Sequence, residues 1–497
     1  MGRAGGRTGA QGDVPGNLHL RANPTVSFMN AGGPVFSLAD LLAATGGYLV
    51  AGSGPASFSG VSIDSRTTSP GDLFVALPGQ NTHGHGFVSG ALSCGAGGAL
   101  VEALPAGTSW TSPSWDAQPI VLVEKTTDAL LDLARWWRRR HQPTLIGVTG
   151  SVGKTTAKEA IAGLLSQRFK VVRSRENLNT ELGLAISLMQ LDSTHEVAVL
   201  EMAMHDMGEI RLLAEVALPE VGVVINVLPA HLERLGTIER IAQAKQELVE
   251  ALPTDGLAIL NADDPQVCAM ASHSKGATLL IGRSAEADLR AVRVGGLGLD
   301  GLDCDFQFRE RILSCHLQLR GAHSIYPALA AIGCALHLGM DFNDAVAAME
   351  RVETGPRLAI VSGPDGVTII DDAYNASPAS MVAALDLLEQ LDGRRIAVLG
   401  DMLELGSFEE EGHRVVGRRA STAAHQLVLV GHRARLIGEE ARAQGKPVDA
   451  IEYFDEVKQA TAWLEQALQP GDNVLIKGSH AMHLERIVDA LRRPLVA

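Results

Sequence analysis

The sequence is poor in cysteine, in aromatic residues and in positive charge, and it has no long apolar run. Its five cysteines (Cys94, Cys268, Cys304, Cys315, Cys334) are scattered, with no C-x-x-C pair. That spacing argues against a disulfide framework or a zinc site and fits incidental thiols of a reducing cytoplasm. Aromatics are 4% of the chain, too sparse for a series of base-stacking platforms. No stretch reaches the roughly 18–20 apolar residues of a membrane span. Lys and Arg number 42 against 57 Asp and Glu, a formal net charge of −15. Extended nucleic-acid binding wants a basic face instead. Residues 1–34 are rich in Gly, Arg and Asn and hold no apolar block, which excludes a secretory signal. They are expected to be a disordered tail, with Met29 a candidate start. A cytoplasmic protein with neither nucleic acid nor membrane as partner is what these absences leave.

What is present is length and pattern. A chain of 497 residues, 46% hydrophobic, is too long for one core. Its pattern divides into 35–141, 142–354 and 355–497. The most informative stretch is Thr144–Thr156, TLIGVTGSVGKTT. A short apolar run reads as a buried strand, breaks into Gly147, Gly150 and Gly153, and passes through Lys154, Thr155 and Thr156 into a helix. Strand, glycine loop and helix start form a phosphate cradle: amides and the helix N-terminus meet the anion, Lys154 supplies charge, and the Thr155 hydroxyl can ligate Mg²⁺. The loop is a variant of G-x-x-x-x-G-K-[ST], because Val148 stands where the first glycine would fall. A plain Gly-rich turn before a helix is the alternative, and it leaves Lys-Thr-Thr unexplained.

From Pro143 strands alternate with helices, the pattern of a parallel doubly wound sheet, in which ligands gather at the carboxyl ends of strands. Polar residues follow three such strands: Glu201; Asn226 with His231-Leu232-Glu233; and Asn261, Asp263 and Asp264. Each alone could be a cap or turn residue, but three such clusters around one phosphate loop are hard to explain as packing. Asn177, Asn179, Thr180 and Glu181 precede another helix. Lys245 lies on a helix with Ile241, Ala242, Leu248 and Val249 at three and four residues. No helical ion pair accounts for it, and an unpaired surface lysine is the ordinary reading. Residues 288–319 read as a β-meander. In the first module Ser65 and Arg66 could hold a phosphate or a uracil edge, or Arg66 could pair with a neighbouring Asp in its turn. The helix ending in Trp136–Arg140 (WWRRR) reads as a connector whose arginines complement its C-terminus. After residue 357 four more strands end in polar residues, among them Asp371–Pro378 and Lys477–Ser479, a second doubly wound sheet.

The segments DSRTTSPGDLFVAL, TGSVGKTT, EMAMHDMGEI, INVLPAHLE, AKQELVE, LNADD, DDAYNASP, VLGDMLELG and VLIKGS occur in this order. Together they resemble the Mur ligase superfamily over roughly Phe36 to Leu491, and within it the branch that handles D-alanyl-D-alanine. The resemblance implies an α/β protein of three domains: a small mixed α/β N-terminal domain, a central P-loop ATPase-type parallel sheet and a C-terminal Rossmann-like doubly wound sheet. It implies a monomeric ATP- and Mg²⁺-dependent ligase. Such an enzyme would join D-Ala-D-Ala to the tripeptide carboxylate of UDP-N-acetylmuramoyl-tripeptide through an acyl phosphate, in peptidoglycan precursor synthesis. On this resemblance Lys154, Lys245 and His231 are catalytic, and Lys245 is carbamylated by CO₂. Gly150, Ser151, Val152, Gly153, Lys154, Thr155, Thr156, Asn261, Arg357 and Asp372 would meet the nucleotide. Thr155, Glu201, His231 and Lys245 would serve the metals. Ser65, Arg66, Asn179, Thr180, Glu181, Tyr374, Asn375 and Lys477 would meet the other substrates.

Several positions depart from the family pattern. Ala203 and His205 replace Gly and Asn, Thr180 and Pro327 each replace Asn, and Ser324 stands where Asn is common. His83 replaces Asp, His480 follows Lys-Gly-Ser where Arg is common, and Pro356 precedes Arg357 in place of Gly. No phosphate, metal or carbamate candidate is removed, so an active enzyme with altered nucleotide contacts is expected. The alternatives are a different ligase of the superfamily, such as a folylpolyglutamate synthase, a non-catalytic descendant that binds nucleotide, and a plain P-loop phosphotransferase, which would not need two further domains.

Overall fold

Local signals act at the first patterned residues. Phe36–Ser37 is a short strand, and Ser37 caps the helix Leu38–Thr45, exchanging bonds with Asp40 at 3.0 and 3.1 Å. The computed structural model describes residues 35–52, 57–79, 82–103, 118–175, 178–229, 232–296, 298–353 and 358–492. The tail 1–34, Asn177, His231 and Arg357 lie outside the described residues.

Three main sheets follow one another. The first has the strand order Tyr48–Ala51, Ile120–Leu122, Gly98–Val101, Asp72–Val75, Gly60–Ser62; the last four run parallel. The second has nine strands. Val171–Arg173, Val197–Glu201, Thr144–Thr149, Val221–Val224, Leu257–Asn261, Ala277–Gly282 and Leu289–Gly296 are parallel. Leu302–Phe308 and Arg311–Leu317 continue it antiparallel. The expected meander over 288–319 is present and forms the edge of the central sheet. The third sheet places Thr368–Asp372, Asn473–Lys477, Arg395–Gly400, Gln426–Val430 and Ile451–Phe454 in parallel, with Ala359–Ser362 antiparallel at one edge. The three-domain α/β architecture is thus as expected, and the strand Ile451–Phe454 is an addition to it.

One close approach sets the geometry of the central domain. Gly147 and Gly222 are register partners on neighbouring strands. A Cβ at Gly147 would lie 3.0 Å from Leu248 Cδ1, and one at Gly222 would lie 3.2 Å from both Leu248 Cγ and Leu252 Cδ1. The bare backbone lets the helix Ile238–Ala251 lie deep against the sheet. Lys245, one turn before Leu248, shares the inward face.

The cores differ in extent. One cluster runs from Phe36, Phe58 and Leu73 of the first module through Leu130, Leu133 and Trp137 of the helix Thr126–Arg140 to Leu145, Leu184 and Leu213 of the central domain. The third sheet is enclosed by two clusters of its own, whose buried members all lie between Val361 and Leu491.

Candidate active site

The phosphate loop connects the strand Thr144–Thr149 to the helix Lys154–Leu165. Gly153 precedes the helix at φ 83°, a left-handed conformation that glycine adopts without strain. No side chain caps this helix, so the first-turn amides, which a helix cannot satisfy internally, are left for a ligand. Lys154 folds back on the loop, donating from Nζ to Gly150 O at 3.0 Å and Ser151 O at 3.3 Å.

Two oxygen groups meet beside the loop. Thr155 Oγ1 donates to Glu201 Oε2 at 2.7 Å, and Asn179 Nδ2 donates to Glu201 Oε1 at 2.9 Å. Glu201 ends its strand 4% exposed, and its N–H donates to Ser174 Oγ at 3.1 Å. Lys158 Nζ, fully buried, donates to Ser174 O at 2.6 Å and so stiffens that support. A hydroxyl and a carboxylate in contact next to a phosphate cradle suit Mg²⁺, which takes one or two protein oxygens and completes its octahedron with phosphate and water. No cluster of three or more His, Cys, Asp or Glu is found among the described residues.

Lys245 is only 2% exposed, which corrects the reading of it as a surface lysine. Burial, and then the nearby charge of Lys154, push its ammonium well below the usual lysine range. Its protonated form is therefore disfavoured, and it lies within electrostatic reach of the phosphate loop.

The remaining expected residues fall into three places. Arg66 makes the turn ion pair: its guanidinium meets Asp64 at 2.6 Å and holds that carboxyl below the usual range. Asn179, Thr180 and Glu181 lie where the first module meets the central sheet. The Glu181 carboxyl is raised by burial and then by Glu209 and by Asp128 of the helix Thr126–Arg140. In the C-terminal sheet, buried Lys477 pairs with Asp372 at 2.6 Å and donates to Asn375 O at 2.8 Å. Tyr374 meets the His480 ring edge-on at 5.7 Å between centroids. His323, at the start of the helix Ile325–His337, feels the charges of Asp372 and Lys477, so the two domains face each other here.

Three of the residues expected at the nucleotide are tied into the fold by hydrogen bonds. Asn261 is a strut beneath the site: its Nδ2 donates to Ile225 O at 2.9 Å and its Oδ1 accepts the Asp263 N–H at 3.0 Å. The Ser151 and Val152 amides are both taken by Asn226 Oδ1, at 2.9 Å each. The departures are held locally too. The Ala203 N–H donates to Asn179 O, and the His205 N–H to Glu209 Oε2. Ser324 Oγ donates to Arg320 O. Sequence reasoning missed Ser174 and Glu247. The Glu247 carboxylate, almost fully buried, accepts the Gly208 and Arg211 amides at the start of the helix Glu209–Ala217. Its only signal was an acid two residues after Lys245.

Comparison with known proteins agrees with this geometry. The chain matches the models of the Mur ligase family catalytic domain over residues 57–134, the Mur ligase middle domain over 148–335, and the Mur ligase glutamate ligase domain over 356–480. It is 32% identical over 444 residues to the UDP-N-acetylmuramoyl-tripeptide–D-alanyl-D-alanine ligase of Bacillus subtilis, covering 88% of this chain and 94% of the relative. The fold is similar to a crystal structure of MurF from Acinetobacter baumannii, with TM-score 0.82, 27% identity, and coverage of 93% and 99% of the two chains. It is also similar to the MurF ligase of Thermotoga maritima in complex with ADP, with TM-score 0.75, 29% identity, and coverage of 87% and 96%.

Proposed function

The chain belongs to the Mur ligase family, and from that premise we propose how its residues divide the work. It is an ATP-dependent ligase that joins D-alanyl-D-alanine to UDP-N-acetylmuramoyl-tripeptide in peptidoglycan synthesis. The observation that carries the reading is the meeting of Lys154, Thr155 and Glu201 at adjacent strand ends of one parallel sheet, with Lys245 buried on the helix Ile238–Ala251 within reach of the Lys154 charge.

The tripeptide carboxylate attacks the γ-phosphorus of ATP, ADP leaves, and an acyl phosphate forms. The dipeptide amine then adds to the acyl carbon, and phosphate departs from the tetrahedral intermediate. Such transfer needs alignment and charge neutralisation more than a covalent nucleophile. Lys154, swung from its loop carbonyls, and the first-turn amides hold the β- and γ-phosphates. Thr155 and Glu201 would hold Mg²⁺, with His231 serving a second ion, and these ions would offset phosphate charge. Burial disfavours the protonated form of Lys245 and shields it from water, which suits an amine that takes up CO₂. Its nitrogen would bond to the carbon, a proton would be released, and a carbamate anion would stand where the amine was, able to support the metals. Ser65 and Arg66 receive the UDP end once Arg66 exchanges Asp64 for phosphate. Asn179, Thr180 and Glu181 face the sugar-peptide. Asp372, Tyr374, Asn375 and Lys477, with Arg357, approach from the C-terminal sheet to close on nucleotide and dipeptide.

The same reading divides the chain at 141/142 and 354/355 and takes it as a cytoplasmic monomer. Among the described residues no helix is long and apolar enough to cross a membrane. Phosphate release measured with ATP, Mg²⁺, UDP-muramoyl-tripeptide and D-Ala-D-Ala, omitting one at a time, tests the proposal. Release should require both the tripeptide and the dipeptide. Stimulation by folate and glutamate instead would overturn it.

A further inference from the structure

The phosphate loop is not held by its own backbone alone. Asn226, two residues beyond the strand Val221–Val224, accepts the Ser151 and Val152 N–H groups on Oδ1 and donates from Nδ2 to Val152 O, all at 2.9 Å. Ser151 Oγ both donates to Leu228 O and accepts the Leu228 N–H, each at 2.9 Å. The segment carrying Asn226 is itself fixed from below. Asn261 Nδ2 donates to Ile225 O at 2.9 Å, and the Val227 N–H donates to Asp264 Oδ2 at 2.7 Å. Gly150 packs against the same segment, where a Cβ would lie 3.2 Å from Ile225 Cβ.

Two consequences follow from the chemistry of a carboxamide. Its oxygen satisfies both amides of the first half of the loop, so an incoming phosphate meets only the second half, Gly153 and the first turn of the helix Lys154–Leu165. It does so without charge. A carboxylate in its place would accept the same two amides, lose the donor to Val152 O, and set a negative charge beside the phosphates.

We propose that Asn226 is a positioning residue that templates the phosphate loop, occupying the Ser151 and Val152 amides so that ATP is anchored by the helix-side amides alone. This rests on the reading of the loop as an ATP site. Calorimetric titration of the full chain with Mg·ADP, alongside KM values for ATP and for UDP-muramoyl-tripeptide, tests it. In Asn226→Ala the loop loses the side-chain part of its template and keeps only the Ser151 N–H bond to the backbone oxygen of residue 226, 3.0 Å in the native chain, and Mg·ADP affinity should fall by about 10-fold, the loss of roughly one hydrogen-bonded anchor. Asn226→Asp keeps both acceptor contacts and adds the charge, so it should bind more weakly still. In both variants KM for ATP should rise while KM for UDP-muramoyl-tripeptide stays within about 2-fold, a split that a general loss of structure would not give. If the alanine variant melts out, the aspartate variant decides. Wild-type binding with unchanged affinity in the variants overturns the role of Asn226 alone. A wild-type chain that does not bind Mg·ADP overturns the ATP reading and this role with it.

Discussion

The N-terminal and C-terminal sheets both meet the central one, but through different material. On the N-terminal side the seam is a shared core. Trp137 is buried between Phe36 and the central helices, and its Nε1 donates to Leu191 O at 3.0 Å. Arg138, almost fully buried, donates to Ala217 O at 2.7 Å and Leu218 O at 3.2 Å and meets Glu220 at 3.1 Å. Glu220 in turn accepts the Leu145 N–H that opens the strand leading to the phosphate loop. On the C-terminal side the contacts are local. Gly406 lies against the helix Leu232–Leu235, where a Cβ would come within 2.8 Å of the Glu233 backbone, and half-buried Phe408 rests on the central core. Leu299, near the tip of the central hairpin, packs on the C-terminal core. A body sealed by its own core and attached at a few points can swing; one that shares a core cannot without opening it. The arrangement favours an N-terminal sheet held rigidly against the central one and a C-terminal sheet that closes.

The contrast can be broken most directly at Trp137. Trp137→Ala should cost about 3–5 kcal/mol. Scanning calorimetry should show the N-terminal and central sheets melting earlier together while the C-terminal transition stays in place. A shift confined to the N-terminal sheet would mean the core is not shared. Arg138→Ala takes the donor from the buried Ala217 carbonyl and from the part-buried Leu218 and His141 carbonyls, and should cost about 2–3 kcal/mol, read from the denaturant midpoint of the same unit. Arg138→Lys should not restore it, because one ammonium cannot replace the guanidinium fork.

Lys245→Met sharpens the contrast from the other direction. The amine has its pKa depressed in the folded state, so unfolding takes up a proton, and native stability rises with pH from the depressed value to the unfolded value near ~10.4. Replacing it should abolish turnover yet stabilise the central unit at pH 7 and flatten that pH dependence. A lower Tm at pH 7 would contradict a buried amine with a depressed pKa. Phe408→Ala should have the smallest effect on stability, about 1 kcal/mol or less. It should still lower kcat while leaving KM for UDP-muramoyl-tripeptide unchanged. A stability loss matching that of Trp137→Ala would erase the difference between the seams.

What was legible in the sequence was local or periodic. The phosphate loop declares itself because glycines, lysine and threonine are consecutive, and the two doubly wound sheets because strands and helices alternate. What was not legible depends on partners distant in sequence. In WWRRR the three arginines look alike, but only Arg138 follows the inward face of its helix to reach the carbonyls of Ala217 and Leu218, while also donating to His141 O at its own helix end as expected. Lys245 reads as an exposed lysine because nothing within its helix reports the depth to which that helix is sunk. Asn261 and Ser151 were placed at the nucleotide by resemblance; that their side chains also brace the strand ends depends on partners the sequence does not show. The strand Ile451–Phe454 is four residues at a sheet edge, too short to stand out from a loop.

The bare register pair Gly147–Gly222 carries a consequence for mutational drift. A single methyl on either would act as a shim under Leu248, prising the helix off the floor and lifting the tip of Lys245 toward water. Wetting would relieve the burial that disfavours its proton, and under the proposed carbamylation a protonated amine has no lone pair for carbon dioxide. Such a lesion would fold, bind its nucleotide and still turn over poorly, and bicarbonate supplied in excess would be the remedy to try.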